Sequence, residues 1–498
     1  MALTAESPRL ARRRDLAPVL GIAAGVLALH LVLSGRYGFH HDELYLLAAG
    51  RHPALGYVDQ PPLTALIARG LTAVAGEHLW PLRVLAGAAH AVLVVVVAGI
   101  AAGLGGARRA VVLAALAAAV TPAFVEAGSR WGPLSLALVW WSAAVLGVVM
   151  VLGGRDPRWW LAVGVMLGLG LETTRVGGLV AIGLVAGLVV VREARPHLRG
   201  GWFWAGMATA VAAWLPNVVW QAQHGWPLAD DGHAGAWAGG DGPAGFVVRQ
   251  LVMAGPAGLV LAAAGLVWAW RHPPWRALVV AVAVLGTALA LLGTAAAELV
   301  PAYVVALPAG AVAAEAWAAR DLHRWRQAVG GVVASGVVLL PATAPVTSVR
   351  TYGDLYHEDI HAALGEEIGW PDTVGLIARV YEILPPEERE DARVVTARAG
   401  EAGAIDLYGP SRGMPRGTAL SADAGASAWW PDGEPAGTVI FLDYSRQDLA
   451  PYCDAMGPIA IVGNSANLVN DGFGATISMC RTMLVTPAEL REALRRGG

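Results

Sequence analysis

Four polar residues, His40-His41-Asp42-Glu43, interrupt an apolar stretch of the chain, and Asp59-Gln60 follows them closely. A carboxylate at a water boundary can take a proton from an incoming hydroxyl, which is the task of a general base in an inverting group transfer. Asp42 is the candidate base. Glu43 and Asp59 are candidates to position an acceptor or an ion. His40 and His41 add titratable rings suited to substrate contact or to a metal. Their spacing matches no specific metal motif, so no cofactor is assigned and a divalent metal stays open. The same residues also suit plainer work: helix capping for Asp42, headgroup contact for the histidines.

The segment that must position them reads GFHHDELYLLAAGRHPALGYVDQPPLTALIARG. It encodes two short amphipathic helices. Asp42 is placed to cap the first, Glu43 to Ala49, with Gly50 as its stop. Pro61-Pro62 opens the second, Leu63 to Ala75, because proline lacks the N–H that a first helical turn leaves unpaired. That helix is short for a span and is expected to lie along a membrane surface. The positive ends of both helices could hold an anionic phosphate.

Composition supplies the membrane. Of 498 residues 56% are hydrophobic and 15% charged, with mean hydropathy +0.53, against roughly 25% charged in a soluble domain. Apolar stretches between Leu16 and Leu340 predict about eleven transmembrane helices. The sequence contains no lysine, so orientation rests on arginine. Arg12-Arg13-Arg14, Arg108-Arg109, Arg155 and Arg158, Arg192 to Arg199, Arg271 and Arg276, and Arg320 to Arg326 all fall on one side under strict alternation. That places the N-terminus in the cytoplasm, and the 34–83 loop and C-terminal region outside, in a multi-pass plasma-membrane protein. The net charge of -3 gives no reason to expect nucleic acid.

The fold class expected is an all-α polytopic membrane domain over 1–345 and a small extracytoplasmic α/β domain over 346–498. In the latter, Trp370 to Leu384, Glu401 to Tyr408 and Ala488 to Arg496 read as helices. Arg393 to Ala397, Thr438 to Leu442, Ile459 to Val462 and Thr476 to Met479 read as strands. Cys453 and Cys480 are the two cysteines; on the oxidising side they suit a disulfide or two separate buried thiols.

An acidic pair, Asp42-Glu43, followed by Asp59-Gln60-Pro61-Pro62-Leu63, on a many-span chain with an outer C-terminal domain, resembles the GT-C glycosyltransferases. The similarity is to glycosyltransferase family 39, the protein O-mannosyltransferase and aminoarabinose-transferase-like group. WLPNVVWQAQHGWPL, Trp214 to Leu228, extends it. The resemblance implies inverting transfer from a polyprenyl-phosphate sugar donor in the lipid bilayer to an extracytoplasmic protein, lipid or glycan acceptor, with Asp42 as base.

Departures from the family pattern are specific. Gln60 stands where a basic residue is usual, Trp131-Gly132-Pro133 where an aspartate is, and Glu172-Thr173-Thr174-Arg175 where a lysine is. Thr294-Ala295-Ala296-Ala297-Glu298, with Tyr303 nearby, replaces a Lys-Pro-Tyr-Tyr-like motif. A leaving phosphate needs cations, for which Arg175 or Arg130 could substitute; both also suit headgroup contact. Glu172 and Glu298 are expected to line a cavity, since carboxylates beside spans are costly otherwise. Asn217, Gln221 and His224 could bind sugar or acceptor, or cap the seventh span. These departures motivate a second reading, a catalytically degenerate member that binds a lipid-linked sugar or scaffolds a partner. A transporter ranks last, because the polar residues gather at span ends rather than mid-membrane.

Overall fold

The computed structural model describes residues 8–230, 242–293, 296–355, 364–430, 437–454 and 456–497. Thr294, Ala295 and the middle of the Gln221 to Gly245 loop lie outside the described residues. Two compact units emerge: Met1–Leu33, Arg83–Gly225 and Gly232–Ala344 form one, and Ser34–Leu82, Trp226–Asp231 and Pro345–Gly498 the other. By contact, the 34–82 loop thus belongs with the C-terminal residues.

The first unit is helical, as a bilayer requires of a chain that must satisfy its backbone internally. Among the described residues six helices are long and apolar enough to cross a membrane: Leu16–Leu33, Leu79–Gly103, Pro133–Leu152, Pro273–Leu292, Ala296–Trp317 and Leu322–Thr343. Two bent pairs raise the number to as many as eight. Each bend has a local cause. Arg108–Val120 meets Pro122–Ser129 at 57°, where Pro122 cannot continue the ladder; Gly245–Ala254 meets Pro256–Arg271 at 97°, through Gly255 at φ 70° and then Pro256. Trp159–Leu171 and Val176–Val190 are apolar but shorter. The expected eleven is therefore not established. Close packing in this unit uses small residues: a Cβ on Gly164 would press into the backbone of Gly206.

In the second unit a five-stranded sheet has the order β2-β1-β3-β5-β4, with β1 Arg393–Thr396, β2 Ala419–Ser421, β3 Val439–Leu442, β4 Met456–Ile461 and β5 Thr476–Cys480. β1 runs parallel to β2 and β3, and β5 antiparallel to β3 and β4. Central β3 is buried at all four positions, hence its unbroken Val-Ile-Phe-Leu. Edge strand β4 is largely exposed and carries Pro458 at an irregularity in its pairing. Helices Trp370–Ile383, Ala399–Tyr408 and Pro487–Gly497 accompany the sheet. Cys453 and Cys480 form a disulfide, with Cα atoms 5.9 Å apart.

Candidate active site

The first loop helix runs His41–Arg51, and its cap is His40, not Asp42. His40 Nδ1 accepts the Asp42 N–H at 3.1 Å, and Glu43 Oε2 accepts the His40 N–H at 2.9 Å, a reciprocal capping box. Glu43 is fully buried, so its carboxylate serves the helix start. Gly50 does not end the helix either. It lies within it, where a Cβ would come 3.2 Å from the Ala65 carbonyl oxygen, so glycine is there to admit the second helix, Leu63–Ala75. That second helix begins after Pro62, as the proline pair predicts.

Relieved of capping, the Asp42 side chain is half exposed, with its Oδ1 3.0 Å from His41 Nε2. His40 Nδ1 lies 3.5 Å from Asp42 Oδ2, but its lone pair already receives the Asp42 N–H, so this contact is no ion pair in the neutral ring. The His40 and His41 rings sit 4.2 Å apart. On the other side of His41, Nδ1 is 3.9 Å from Glu366 Oε2. Burial raises the Glu366 carboxyl, which also accepts the Asp471 N–H at 3.0 Å. His40, His41 and Asp42 can each offer a ligand atom within 4.8 Å of the others, a mixed nitrogen and oxygen set that suits a borderline divalent ion.

Asp59 is brought to the same helix by Tyr45, whose hydroxyl donates to Asp59 Oδ1 at 2.6 Å. Tyr45 is one turn beyond His41, and burial beside Asp59 holds its phenol well above the usual range. Trp429 closes the far side, stacking on His52 at 4.8 Å and 9°. A cavity of about 140 Å³ opens there, lined by Arg51, His52, Gly403, Asp406 and Trp429 among others. Gln60 is buried beside this group.

Two features fix the loop to the sheet domain within this unit. Gly400 and Gly403 lie on one face of Ala399–Tyr408, where Cβ atoms would approach the carbonyl oxygens of His41 and Leu44 to 2.7 and 2.5 Å. Arg51 reaches Glu77 at 2.9 Å and Asp406 at 3.1 Å, while Arg416 reaches Glu77 at 2.8 Å. The arginines hold the Glu77 carboxyl low against the effect of its burial.

Beneath the helix start, Glu401 is capped onto Arg398, which also pairs with Asp443 and Asp471. Burial pushes Glu401 up to about 7 from 4.5, against the pull of Arg398. A raised carboxyl contributes stability below its unfolded value and loses it as pH rises through the folded one. Thermal unfolding between about pH 5 and pH 8 should fall in Tm with rising pH, and Glu401→Gln should flatten that slope. A slope unchanged in the variant would assign it elsewhere.

The remaining candidates lie in the first unit. Glu172 follows Trp159–Leu171 and rests, buried, against the Asn217 backbone. Asn217 and Gln221 are buried one turn apart on Gly201–Gln223, so Glu172 and Asn217 converge. His224 ends that helix, stacked on Trp220. Arg175 precedes Val176–Val190 and is exposed. Arg130 pairs with Glu126 at 2.6 Å, and Tyr303 donates to Gln250, so neither group is idle. Glu298 stands half-buried in the short helix Ala296–Ala302.

Residues 59–220 match the family model described as dolichyl-phosphate-mannose-protein mannosyltransferase. No curated protein matches the sequence. The structure is similar to ArnT from Cupriavidus metallidurans bound to undecaprenyl phosphate, with TM-score 0.57 at 15% identity over 93% of this chain and 98% of that one. It is similar also to the same protein in the apo state, with TM-score 0.54 at 15% identity over 94% and 98%. The chain has the fold of that ArnT. The ArnT fold accounts for both the polytopic helical part and the appended small sheet. The family-model match begins at Asp59 and stops at Trp220, so it takes in the Asp59-to-Leu63 motif and the first half of the Trp214 to Leu228 segment but leaves Asp42-Glu43, Gln221 and His224 outside. Within this ArnT-like chain, sequence reasoning missed Tyr45, Glu366, Glu401 and Trp429. Only Tyr45 carried a local signal, its position one helical turn from His41.

Proposed function

We propose that the chain is a membrane glycosyltransferase that moves a sugar from a polyprenyl-phosphate donor to an extracytoplasmic acceptor with inversion. The observation that carries this reading is the ArnT fold over 93% of the chain. Support comes from Asp42, freed from capping and half exposed at 3.0 Å from His41 Nε2. In this scheme Asp42 takes the proton of an acceptor hydroxyl or amine as that atom attacks the anomeric carbon. The carbon–oxygen bond to phosphate breaks on the opposite face, and its electron pair leaves with the polyprenyl phosphate. His41 orients the Asp42 carboxylate, and Asp59, held by Tyr45, positions the acceptor. Arg175 contacts the leaving phosphate, with Arg130, already paired to Glu126, in a lesser part. Glu172, Asn217, Gln221, His224, Glu298 and Tyr303 contribute to the sugar or lipid pocket. The loop and sheet domain face outside, with the N-terminus in the cytoplasm.

The test is release of polyprenyl phosphate from a panel of lipid-linked sugars by the purified full chain in liposomes. Turnover of at least one donor is expected. Retention of donor with no turnover across the panel would favour the non-catalytic reading, to which Glu172 in place of a cation lends weight.

A further inference from the structure

The first unit carries an apolar groove whose lining includes none of the candidate residues above. Its volume is about 590 Å³, in the range of ligand sites. Ala257, Val260 and Leu261 form one wall, Ala314 and Trp317 a second, and Gly331 with its neighbours a third. Alanine and glycine leave the space that larger side chains would fill, and Gln327 is the polar residue in the lining.

Beside Trp317 and Gln327 the chain turns through Arg320, His323, Arg324 and Arg326. Arg324 lies over the Trp317 ring at 5.4 Å, and Arg109 over Trp325 at 5.8 Å, so Arg109 joins the same cluster. The acids nearby are already committed. Glu315 accepts the N–H groups of Ala107 and Ala110 at 2.7 and 3.1 Å, and Asp321 caps Leu322–Thr343 while pairing with Arg324 at 3.2 Å. Arg320 and Arg326 are exposed and have no ion pair among the described residues. An apolar slot opening beside a net positive cluster matches one molecule in a bilayer: a hydrocarbon chain joined to a negative headgroup.

We propose that this groove is a binding site for an anionic phospholipid, with an acyl chain between the three helices and its phosphate among Arg320, Arg324 and Arg326. The inference does not depend on the transferase reading. It is tested on the full chain in neutral detergent by native mass spectrometry, with phosphatidylglycerol and phosphatidylcholine of identical acyl chains. Phosphatidylglycerol should be retained to higher collision energy. Replacing Arg320, Arg324 and Arg326 together by Gln should remove that preference, at roughly five-fold per arginine. Gly331→Phe should reduce retention of both lipids by filling the groove. Equal retention of the two lipids by the wild-type chain overturns the proposal, as does a preference that survives the triple variant. The wild-type comparison decides the charge requirement even if a variant fails to fold.

Discussion

Asp42→Asn should lower sugar transfer by roughly 10²–10⁴-fold, the range typical of a lost general base. The amide has the shape of the carboxylate but cannot accept the acceptor's proton. The helix start does not depend on this carboxylate, because it is held by His40 and Glu43 together with the Asp42 backbone N–H. Insertion and thermal unfolding should therefore stay near wild type while kcat falls. Undiminished transfer by a stably inserted Asp42→Asn chain would remove Asp42 from the mechanism. Glu43→Gln offers a contrast: it weakens the cap, at about 1 kcal/mol, and should lower stability before it lowers kcat.

The second large effect is structural. Gly403→Leu places a Cβ at 2.5 Å from the Leu44 carbonyl oxygen and 2.8 Å from its carbon, and backbone on a buried helix cannot move aside alone. Overpacking of this kind costs about 1–3 kcal/mol and more when the obstruction is backbone. The loop helix should detach from Ala399–Tyr408, seen as a lower Tm and as protease cleavage within residues 34–82, with turnover lost. Gly457→Ala is the control, since a Cβ there meets nothing within 4 Å. A Gly403→Leu chain that melts with the wild type would show that this face does not hold the loop.

How far the sequence discloses such features depends on whether the determining partners are neighbours in the chain. Pro61-Pro62 announces the Leu63–Ala75 helix because proline acts on its own residue and the next. The runs of Val439–Leu442 and Thr476–Cys480 betray buried strands by composition, whereas Ala419–Ser421 is too short and too small-sided to show. At the helix start two residues of the right chemistry compete, and Asp42 is the commoner cap. What decides for His40 is Glu43 three residues on, which completes the box around His40 rather than around Asp42. Gly50 illustrates a different limit: the same residue serves as a helix stop or as a place of close approach, and only Ala65 and Arg69 distinguish the two. Tyr45–Asp59, His52–Trp429 and Arg51–Asp406 are side-chain pairings across the fold, which no periodicity encodes.

The grouping of residues 34–82 with 345–498 has a consequence for the order of events on the ribosome. The histidine-bearing loop emerges early, yet the glycines of Ala399–Tyr408 that receive it are made only after the helices of the first unit. At about 5–20 residues per second the interval is on the order of tens of seconds. Throughout that time the loop has neither its docking face nor its partners Asp406 and Arg416. A nascent chain halted before residue 345 should thus leave the loop open to protease, and the same loop should become protected once release of the full chain lets the sheet close around it.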